Sequence, residues 1–185
     1  MNIALLASGK GSNVENILSY FANSTKVKVV LVGSNNIKSG ALQHARIHKS
    51  STIIFSKKEL ENTDFMLKSL EKHNVDLLFL AGFLLKIPSK LIDSFKGKII
   101  NIHPSLLPKH GGKGMYGDNV HKAVLAFNDK KSGITFHYVN EHYDEGQIIA
   151  QFSFLISDVE TLTSLKKKIS QLEMLHYPKI IESFI

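Results

Sequence analysis

The sequence predicts an α/β fold, with a mostly parallel twisted sheet, helices on both faces and an antiparallel edge. Short apolar runs end in glycine or polar residues, and an amphipathic helical pattern follows most of them. Strands that are apolar along their whole length are typical of a parallel sheet covered on both sides. Two later strands are separated by only a short loop, which indicates an antiparallel pair. With 185 residues and no linker or repeat, we predict a single domain over residues 1–185.

The predicted strands and helices alternate along most of the chain. The first strand covers residues 2–7, and Val14, Ile17 and Leu18 mark one face of the helix that follows it. Further strands are predicted over residues 27–33, 51–55, 75–80, 98–102, 133–139 and 147–156. Further helices are predicted over residues 38–48 and 159–182. Another extends from the third strand to about residue 74, and a short one begins at about Pro88.

The composition excludes several classes of protein. The chain has no cysteine, which removes disulfides, thiolate metal sites and a thiol nucleophile. No apolar stretch approaches the roughly 18 residues of a membrane span, and Met1 leads directly into a strand without a signal-peptide pattern. The net charge of +7 comes from scattered lysines, which we interpret as a solvated surface. We therefore expect a cytoplasmic monomer or homodimer that acts on small molecules and binds neither nucleic acid nor membrane.

Residues 8–13, SGKGSN, form a glycine-rich loop between the first strand and the first helix. Glycines allow a sharp turn, and the amides at a helix N-terminus favour an anion. A dinucleotide-binding fingerprint would need a third glycine and an acidic residue after the second strand, where the sequence has Val14 and GSNN. The spacing of a Walker loop is also absent. Two interpretations remain: a phosphate site at Gly11, Ser12 and Asn13, or an ordinary turn in which Ser12 or Asn13 caps the helix.

Residues 101–108, NIHPSLLP, stand at the end of the fifth strand. Ligands of parallel sheets bind beyond the carboxyl ends of the strands. Asn101 and His103 alternate with apolar residues, so we expect both side chains to point to the same side. A carboxamide beside an imidazole is suited to stabilise the oxyanion of an acyl transfer. A single histidine is more often structural, but here an asparagine, a histidine and two prolines coincide.

Asp144 lies in the loop between the two late strands, two residues before Gly146. One interpretation is a turn aspartate. The other makes it the partner of His103, where its charge would raise the pKa of the imidazole and hold the imidazolium. A metal site of His137, His142 and Asp144 is a further alternative. Its spacing matches no zinc or iron pattern, and we expect no metal.

Four motifs occur in order along the chain: residues 8–13, residues 80–83 (LAGF), residues 101–108 and the pair Asp144-x-Gly146. In this order they resemble the motifs of the phosphoribosylglycinamide formyltransferases of purine synthesis, and the resemblance extends over nearly the whole chain. The motif at residues 101–108 is shared with formyltransferases that act on methionyl-tRNA and on sugar nucleotides. It therefore indicates formyl transfer from folate rather than one acceptor. The loop at residues 8–13 and the one-domain length favour glycinamide ribonucleotide.

The resemblance implies a single Rossmann-like domain and 10-formyltetrahydrofolate as the formyl donor. The phosphate and ribose of the acceptor would be bound by Gly11, Ser12, Asn13 and Glu173. The folate would be bound by Phe83, Leu84, Leu85, Lys86, Ile87, Asn101, Val139 and Asn140, with residues 84–87 contributing backbone groups to the pteridine. Lys58, or its neighbour Lys57, corresponds to an arginine of relatives that faces the folate tail, and Leu85 replaces an arginine that some relatives have.

As a hypothesis, the acceptor amine attacks the formyl carbon directly. Asn101 and protonated His103 would stabilise the oxyanion, and Asp144 would keep His103 charged and help remove the proton of the amine. Three alternatives stay open: a formyltransferase for another amine such as an amino-sugar nucleotide, a hydrolase that deformylates folate, and a nucleotide- or folate-binding module without catalysis.

Overall fold

The computed structural model describes all 185 residues of the chain. Its strands are β1 (Asn2–Leu6), β2 (Lys28–Ser34), β3 (Ser51–Ile54), β4 (Leu77–Leu80), β5 (Ile99–His103), β6 (Lys131–Tyr138) and β7 (Ile148–Leu155). Its helices are α1 (Ser12–Tyr20), α2 (Gly40–Ile47), α3 (Lys57–Glu61), α4 (Thr63–Lys72), α5 (Ser89–Ser94), α6 (Asp118–Ala126) and α7 (Leu162–Glu182). The strands form one sheet in the order β3-β2-β1-β4-β5-β6-β7, which confirms the predicted α/β class.

The chain groups into two compact units. One consists of Met1–Ile100 with Tyr177–Ile185, and the other of Asn101–His176. The prediction of one domain over residues 1–185 stays a prediction. None of the helices combines the length and the apolarity that crossing a membrane requires.

Four parallel strands organise the unit that begins at Met1. β1 pairs with β2 on one side and with β4 on the other, and β2 pairs with β3. The residues from Ile3 to Leu6 are fully buried, as are Val14 and Ile17 of α1. Burying an aliphatic side chain of this size contributes about 1.5–3 kcal/mol. β1 and α1 therefore form a stable support for the loop that connects them.

An antiparallel pair, β6 and β7, organises the unit that begins at Asn101, as predicted. Residues 132–137 of β6 are all buried, although Ser132, Thr135 and His137 are polar. Buried polar side chains are stable only when they find hydrogen-bond partners. Thr135 and His137 have such partners, which indicates a role beyond packing, whereas the Ser132 hydroxyl has none.

One predicted helix is two helices in the structure. The sequence predicted a single helix after the third strand, whereas α3 ends at Glu61 and α4 begins at Thr63. Asn62 between them has a non-helical ψ of 80°. Asparagine favours such breaks because its side chain competes with the backbone for hydrogen bonds. Ser56 and Glu59 form a reciprocal capping box at the start of α3, so this short helix has a start signal of its own.

Candidate active site

Three polar side chains that the sequence singled out meet in the unit that begins at Asn101. Asn101 and His103 lie on β5 and point to the same side, as predicted, because both approach Asp144 in the loop after β6. His103 Nδ1 is 3.4 Å from Asp144 Oδ2, and Asn101 Nδ2 is 3.5 Å from Asp144 Oδ1. The imidazole and the carboxylate are only 4% and 11% exposed. Such a cluster can move a proton and stabilise a developing anion.

The two ring nitrogens of His103 have different neighbours. Nε2 lies 2.8 Å from the backbone carbonyl oxygen of His110. A carbonyl oxygen can only accept a hydrogen bond, so Nε2 carries a hydrogen. Nδ1 faces Asp144 at the longer distance of 3.4 Å. Nδ1 is therefore the nitrogen that remains to exchange a proton with a substrate.

The pKa of His103 corrects the expectation from the sequence. Burial lowers the pKa of His103 below its ordinary value, and it outweighs the charge of Asp144 and the hydrogen bond to His110, which both act to raise it. Asp144 favours the charged imidazole, as expected, but it does not decide the net direction. Burial therefore favours the neutral form of the ring, and in that form the lone pair is on Nδ1 because Nε2 carries the hydrogen.

The carboxyl group of Asp144 stays charged. Burial acts to raise its pKa, but interactions with His137, His103 and the amide of Gly112 together bring the pKa below its ordinary value. The Gly112 amide donates to Asp144 Oδ2 at 2.9 Å. His137 Nε2 is 3.7 Å from Oδ1, which is an electrostatic contact rather than a hydrogen bond. The cluster thus combines a neutral base with a fixed negative charge.

The loop that presents Asp144 depends on Gly146. Asp144 has a φ of 59°, in the left-handed region that aspartate tolerates better than most residues. A Cβ atom on Gly146 would lie 1.7 Å from the backbone oxygen of Tyr138, so only glycine fits there. Asp144 is therefore both a turn residue and the partner of His103, and the two interpretations from the sequence do not exclude each other.

His137 completes the cluster, a role that was not predicted from the sequence. Its Nδ1 lies 2.9 Å from the backbone oxygen of Tyr138 and therefore carries a hydrogen. In the neutral ring, Nε2 then accepts a hydrogen bond from Asn101 Nδ2 at 3.1 Å. This contact directs the amino group of Asn101 towards His137 and Asp144. The signal in the sequence was a pair of polar residues, Thr135 and His137, at alternate positions of a buried strand.

Thr135 holds the segment that follows His103. Its hydroxyl donates to the backbone oxygen of Ser105 at 2.7 Å. The same hydroxyl accepts from the amide of Leu107 at 3.0 Å and from Gln151 Nε2 at 2.9 Å. Thr135 is fully buried, so these bonds replace water and fix the backbone beside the site.

We expect Thr135→Val to destabilise the protein by about 2–3 kcal/mol, because valine keeps the shape but leaves buried backbone groups of Ser105 and Leu107 without their hydroxyl partner. Urea-induced unfolding of the variant and the wild type measures the difference. Thr52→Val, at an exposed position of β3, is the matched control, with an expected change within about 0.5 kcal/mol. Equal stability of Thr135→Val and the wild type would contradict the prediction.

The alternative metal site does not form in the structure. No group of three histidine or carboxylate side chains is arranged to hold a metal ion. Of the three residues considered, His142 is exposed, whereas His137 uses both ring nitrogens within the cluster. His137 and Asp144 therefore belong to the Asn101 cluster.

The glycine-rich loop at residues 8–13 lies in the unit that begins at Met1. Gly11 is the N-cap of α1 with a φ of 80°, and no side chain caps the helix. The interpretation that Ser12 or Asn13 caps α1 is therefore wrong. A Cβ atom on Gly11 would lie 2.5 Å from the backbone nitrogen of Ala41, so the loop is closely packed at this point. The partial positive charge at the start of α1 is not offset by a side-chain cap, which favours an anion.

Ser8 connects this loop to residues 82–87, and this connection was not predicted. The Ser8 amide donates to the Gly82 oxygen at 3.0 Å. The Ser8 hydroxyl accepts from the Leu84 amide at 3.0 Å and donates to Asn35 Oδ1 at 2.6 Å. The Leu84 amide donates to Ser8, so the predicted backbone contacts of residues 84–87 with a ligand have to come from the other backbone groups of these residues.

Two further predicted ligand residues of this unit are Lys58, on α3, and Phe83, beside Phe55. Lys57 Nζ is 3.7 Å from Glu61 Oε1, whereas Lys58 makes no ion pair. The ring of Phe83 lies against that of Phe55, with 5.9 Å between the centroids. These contacts leave Lys58 as the lysine that is better placed to meet an anionic ligand.

Three further predicted ligand residues lie in the unit that begins at Asn101. Val139 and Asn140 directly follow β6 and are half-buried, and Asn140 Oδ1 accepts from the His142 amide at 3.0 Å. Glu173 lies half-buried on α7. The side chain of Asn140 thus shapes the turn that leads towards Asp144.

The curated proteins similar to this chain include phosphoribosylglycinamide formyltransferases of plants and bacteria. The chloroplastic phosphoribosylglycinamide formyltransferase of Arabidopsis thaliana is 38% identical over 97% of this chain and 63% of its own length. The phosphoribosylglycinamide formyltransferase of Bacillus subtilis is 33% identical over 98% of this chain and 93% of its own length. The chain thus spans less than two thirds of the plant relative but nearly all of the bacterial one.

Solved structures with the same name share the fold. The phosphoribosylglycinamide formyltransferase of Coxiella burnetii has a TM-score of 0.90 and 31% identity, covering 100% of this chain and 86% of the other. That of Anaplasma phagocytophilum has a TM-score of 0.89 and 34% identity, covering 98% and 85%. The family model described as formyl transferase matches residues 1–181. The chain therefore belongs to the formyl transferase family, among its phosphoribosylglycinamide formyltransferases.

Proposed function

We propose that this protein transfers a formyl group from 10-formyltetrahydrofolate to the glycyl amine of phosphoribosylglycinamide, in de novo purine (IMP) synthesis. The observation that carries the proposal is the buried cluster of Asn101, His103 and Asp144 in a chain of this family. The cluster offers a proton acceptor, a hydrogen-bond donor for an oxyanion and a fixed negative charge. Acyl transfer to an amine uses all three.

The reaction proceeds by direct attack of the amine nitrogen on the formyl carbon, which forms a C–N bond and turns the formyl oxygen into an oxyanion. His103 Nδ1 takes the proton that the nitrogen loses. The resulting imidazolium lies beside Asp144 and stabilises the oxyanion together with Asn101. Collapse breaks the bond to N10 of the folate, and N10 receives the proton from His103. His103 is thus protonated during the reaction, not before it.

Asn101 has to exchange one contact in order to act as the donor. Its amino group has two hydrogens, directed at His137 at 3.1 Å and at Asp144 at 3.5 Å. The longer contact is the weaker one. The oxyanion replaces it, while His137 keeps the carboxamide in its orientation.

The ligand residues are proposed from the family. The acceptor would be held by Gly11, Ser12, Asn13 and Glu173. The folate would be held by Lys58, Phe83, Leu84, Leu85, Lys86, Ile87, Asn101, Val139 and Asn140. Lys58 is preferred to Lys57 because Lys57 pairs with Glu61. We also propose that the enzyme works in the cytoplasm on small molecules only.

The test is a formyl-transfer assay with 10-formyltetrahydrofolate and, in parallel, phosphoribosylglycinamide, an amino-sugar nucleotide or no acceptor. We expect formylation of phosphoribosylglycinamide alone. Transfer only to the sugar would keep the chemistry and overturn the acceptor. Loss of the formyl group without an acceptor would indicate a hydrolase. No reaction under any of the three conditions would indicate a binding module without catalysis.

A substitution at Gly11 tests the phosphate site. We expect Gly11→Ala to raise the KM for the acceptor about 10- to 100-fold, because displacing the loop removes one charge-assisted hydrogen bond to the phosphate. Gly9→Ala is the matched control, since a Cβ atom there would meet nothing within 4 Å. Steady-state kinetics with varied acceptor measures both. A KM that rises for the folate instead of the acceptor would contradict the assignment.

A further inference from the structure

A second pair of side chains, His110 and Asp129, lies next to the proposed proton acceptor. The carbonyl oxygen that accepts the hydrogen bond from His103 Nε2 belongs to His110. His110 Nε2 is itself 2.7 Å from Asp129 Oδ2, and the two side chains are 8% and 11% exposed. His110 therefore links His103 to Asp129, with its backbone carbonyl group bound to His103 and its side chain bound to Asp129.

We propose that His110 is a positioning residue for the formyl transfer: Asp129 fixes the side chain of His110, and the carbonyl group of His110 thereby holds the ring of His103 in one tautomer and one orientation. This inference rests on the proposed function for its effect on turnover. Its structural part, the state of the His103 ring, does not depend on any substrate.

The backbone at His110 needs such a support. His110 has a φ of 54°, in the left-handed region that non-glycine residues adopt only when their surroundings hold them there. The backbone is held on both sides of this residue, because the Lys109 carbonyl oxygen accepts from Ser105 Oγ at 2.7 Å and the Gly112 amide donates to Asp144. The side chain of His110 is the contact that fixes His110 itself between these two points.

Asp129 is well placed to be the anchor. Its second oxygen, Oδ1, accepts from Lys109 Nζ at 2.8 Å, and the pKa of Asp129 lies below its ordinary value through the contacts with Lys109 and His110. Asp129 stands two residues before β6, a rigid strand. The ring of Phe127 lies edge-on to that of His110, with 5.4 Å between the centroids. The imidazole of His110 is thus fixed by a charge and by a packing contact.

The carbonyl group of His110 decides which nitrogen of His103 can react. While it accepts from Nε2, the neutral ring keeps its lone pair on Nδ1, the nitrogen beside Asp144. If the carbonyl group moves, the ring can take either tautomer, and part of the molecules present a hydrogen instead of a lone pair to the amine. We expect this to lower kcat while substrate binding stays nearly unchanged.

The experiment compares four variants. His110→Phe keeps a ring beside Phe127 but removes the bond to Asp129, and Asp129→Ala removes the anchor itself. His110→Gln restores an N–H donor where Nε2 stands, and Lys109→Gln removes the other partner of Asp129 as the control. We expect kcat to fall about tenfold in the first two, to recover in His110→Gln, and to stay within about twofold in Lys109→Gln, with KM for both substrates nearly constant.

The nitrogen NMR spectrum of the His103 ring, recorded from pH 5 to 9, reports which ring nitrogen carries the hydrogen. A purely structural role of His110 would leave this spectrum unchanged. Asp144, His137, His110 and His121 act on this ring, and all but His110 stay unchanged in the His110 variants. We expect only the Nε2–H tautomer in the wild type, His110→Gln and Lys109→Gln. We expect a mixture of the two tautomers in His110→Phe and Asp129→Ala.

The outcomes separate this inference from the proposed function. An unchanged tautomer in both His110→Phe and Asp129→Ala, at unchanged melting temperature, overturns the inference whatever the activity. If His110→Phe fails to fold, Asp129→Ala decides in the same way. A wild type that transfers no formyl group but shows the tautomer shift in the variants overturns the proposed function and leaves the positioning role of His110 intact.

Discussion

Replacing His103 with alanine is expected to lower kcat about 10³-fold and to change the KM of both substrates by no more than about threefold. The reason is that, in the proposed mechanism, Nδ1 of His103 carries the proton from the amine to N10 of the folate. The residual rate comes from alignment of the two substrates, which the substitution leaves in place. Steady-state kinetics with each substrate varied in turn gives both constants.

A second variant separates chemistry from folding, because the ring of His103 is buried and its removal leaves a cavity. His103→Gln keeps an N–H donor for the His110 carbonyl group but has no atom in place of Nδ1. We expect it to unfold at nearly the wild-type temperature and to be as inactive as the alanine variant. His142→Ala, at an exposed histidine of the same unit, is the matched control and should keep full activity. Turnover near the wild-type value in His103→Gln would rule out proton transfer through Nδ1.

Replacing Asp144 with asparagine is expected to lower kcat about 10²- to 10³-fold, because the imidazolium formed during the reaction loses the charge that stabilises it. Asparagine keeps the shape and tolerates the left-handed backbone of this position. Glu145→Gln, at the exposed neighbouring carboxylate, is the control and should have no such effect. Wild-type kcat in Asp144→Asn would show that the charge is not used.

The same variant should also shift the pH dependence of the rate. In the proposed mechanism, activity requires neutral His103 in the free enzyme, so kcat/KM should fall as the pH drops through the His103 pKa, which burial places below its ordinary value. Asp144 acts to raise that pKa. Without its charge the pKa falls further, and the acidic limb of the profile should move to lower pH. A shift to higher pH would contradict the electrostatic role given to Asp144.

The free energy of unfolding should also decrease as the pH falls. The pKa of Asp144 is lower in the folded than in the unfolded chain, so its contribution to stability is full above the unfolded pKa and is lost as the pH falls through the folded one. The lowered pKa of His103 acts in the same direction, because the unfolded chain binds its proton first. Both groups therefore favour unfolding in acid.

The fold could be predicted from the sequence because its strands and helices differ in period and composition. β1 and β2 are apolar on both faces, and glycine or polar residues mark their ends, so only their bounds shifted by a residue or two. The break at Asn62 was missed because the apolar positions on either side continue a helical period. The capping box of Ser56 and Glu59 marks only the start of α3, and no side-chain cap marks the start of α4.

The site was predictable only where a residue stood in a recognisable local pattern. Asn101 and His103 were found because they alternate at a strand end, and Asp144 because it precedes a turn glycine. His137 and Thr135 act through contacts with β5 and the segment after it, which no local pattern encodes. The effect of Asp144 on the pKa of His103 was predicted with the right sign, but the burial that outweighs it depends on the whole fold and could not be predicted.

The hydroxyl of Ser8 has a consequence for the order of substrate binding. It belongs to the glycine-rich loop at residues 8–13 and also accepts from the Leu84 amide, so one oxygen atom joins the segments proposed for two different ligands. Any ligand that stiffens one segment lowers the entropy that the other must lose, and the two affinities become coupled by the same factor in both directions. Each substrate should therefore bind more tightly when the other is already bound, by the same factor for both, and Ser8→Ala should make the two binding events independent.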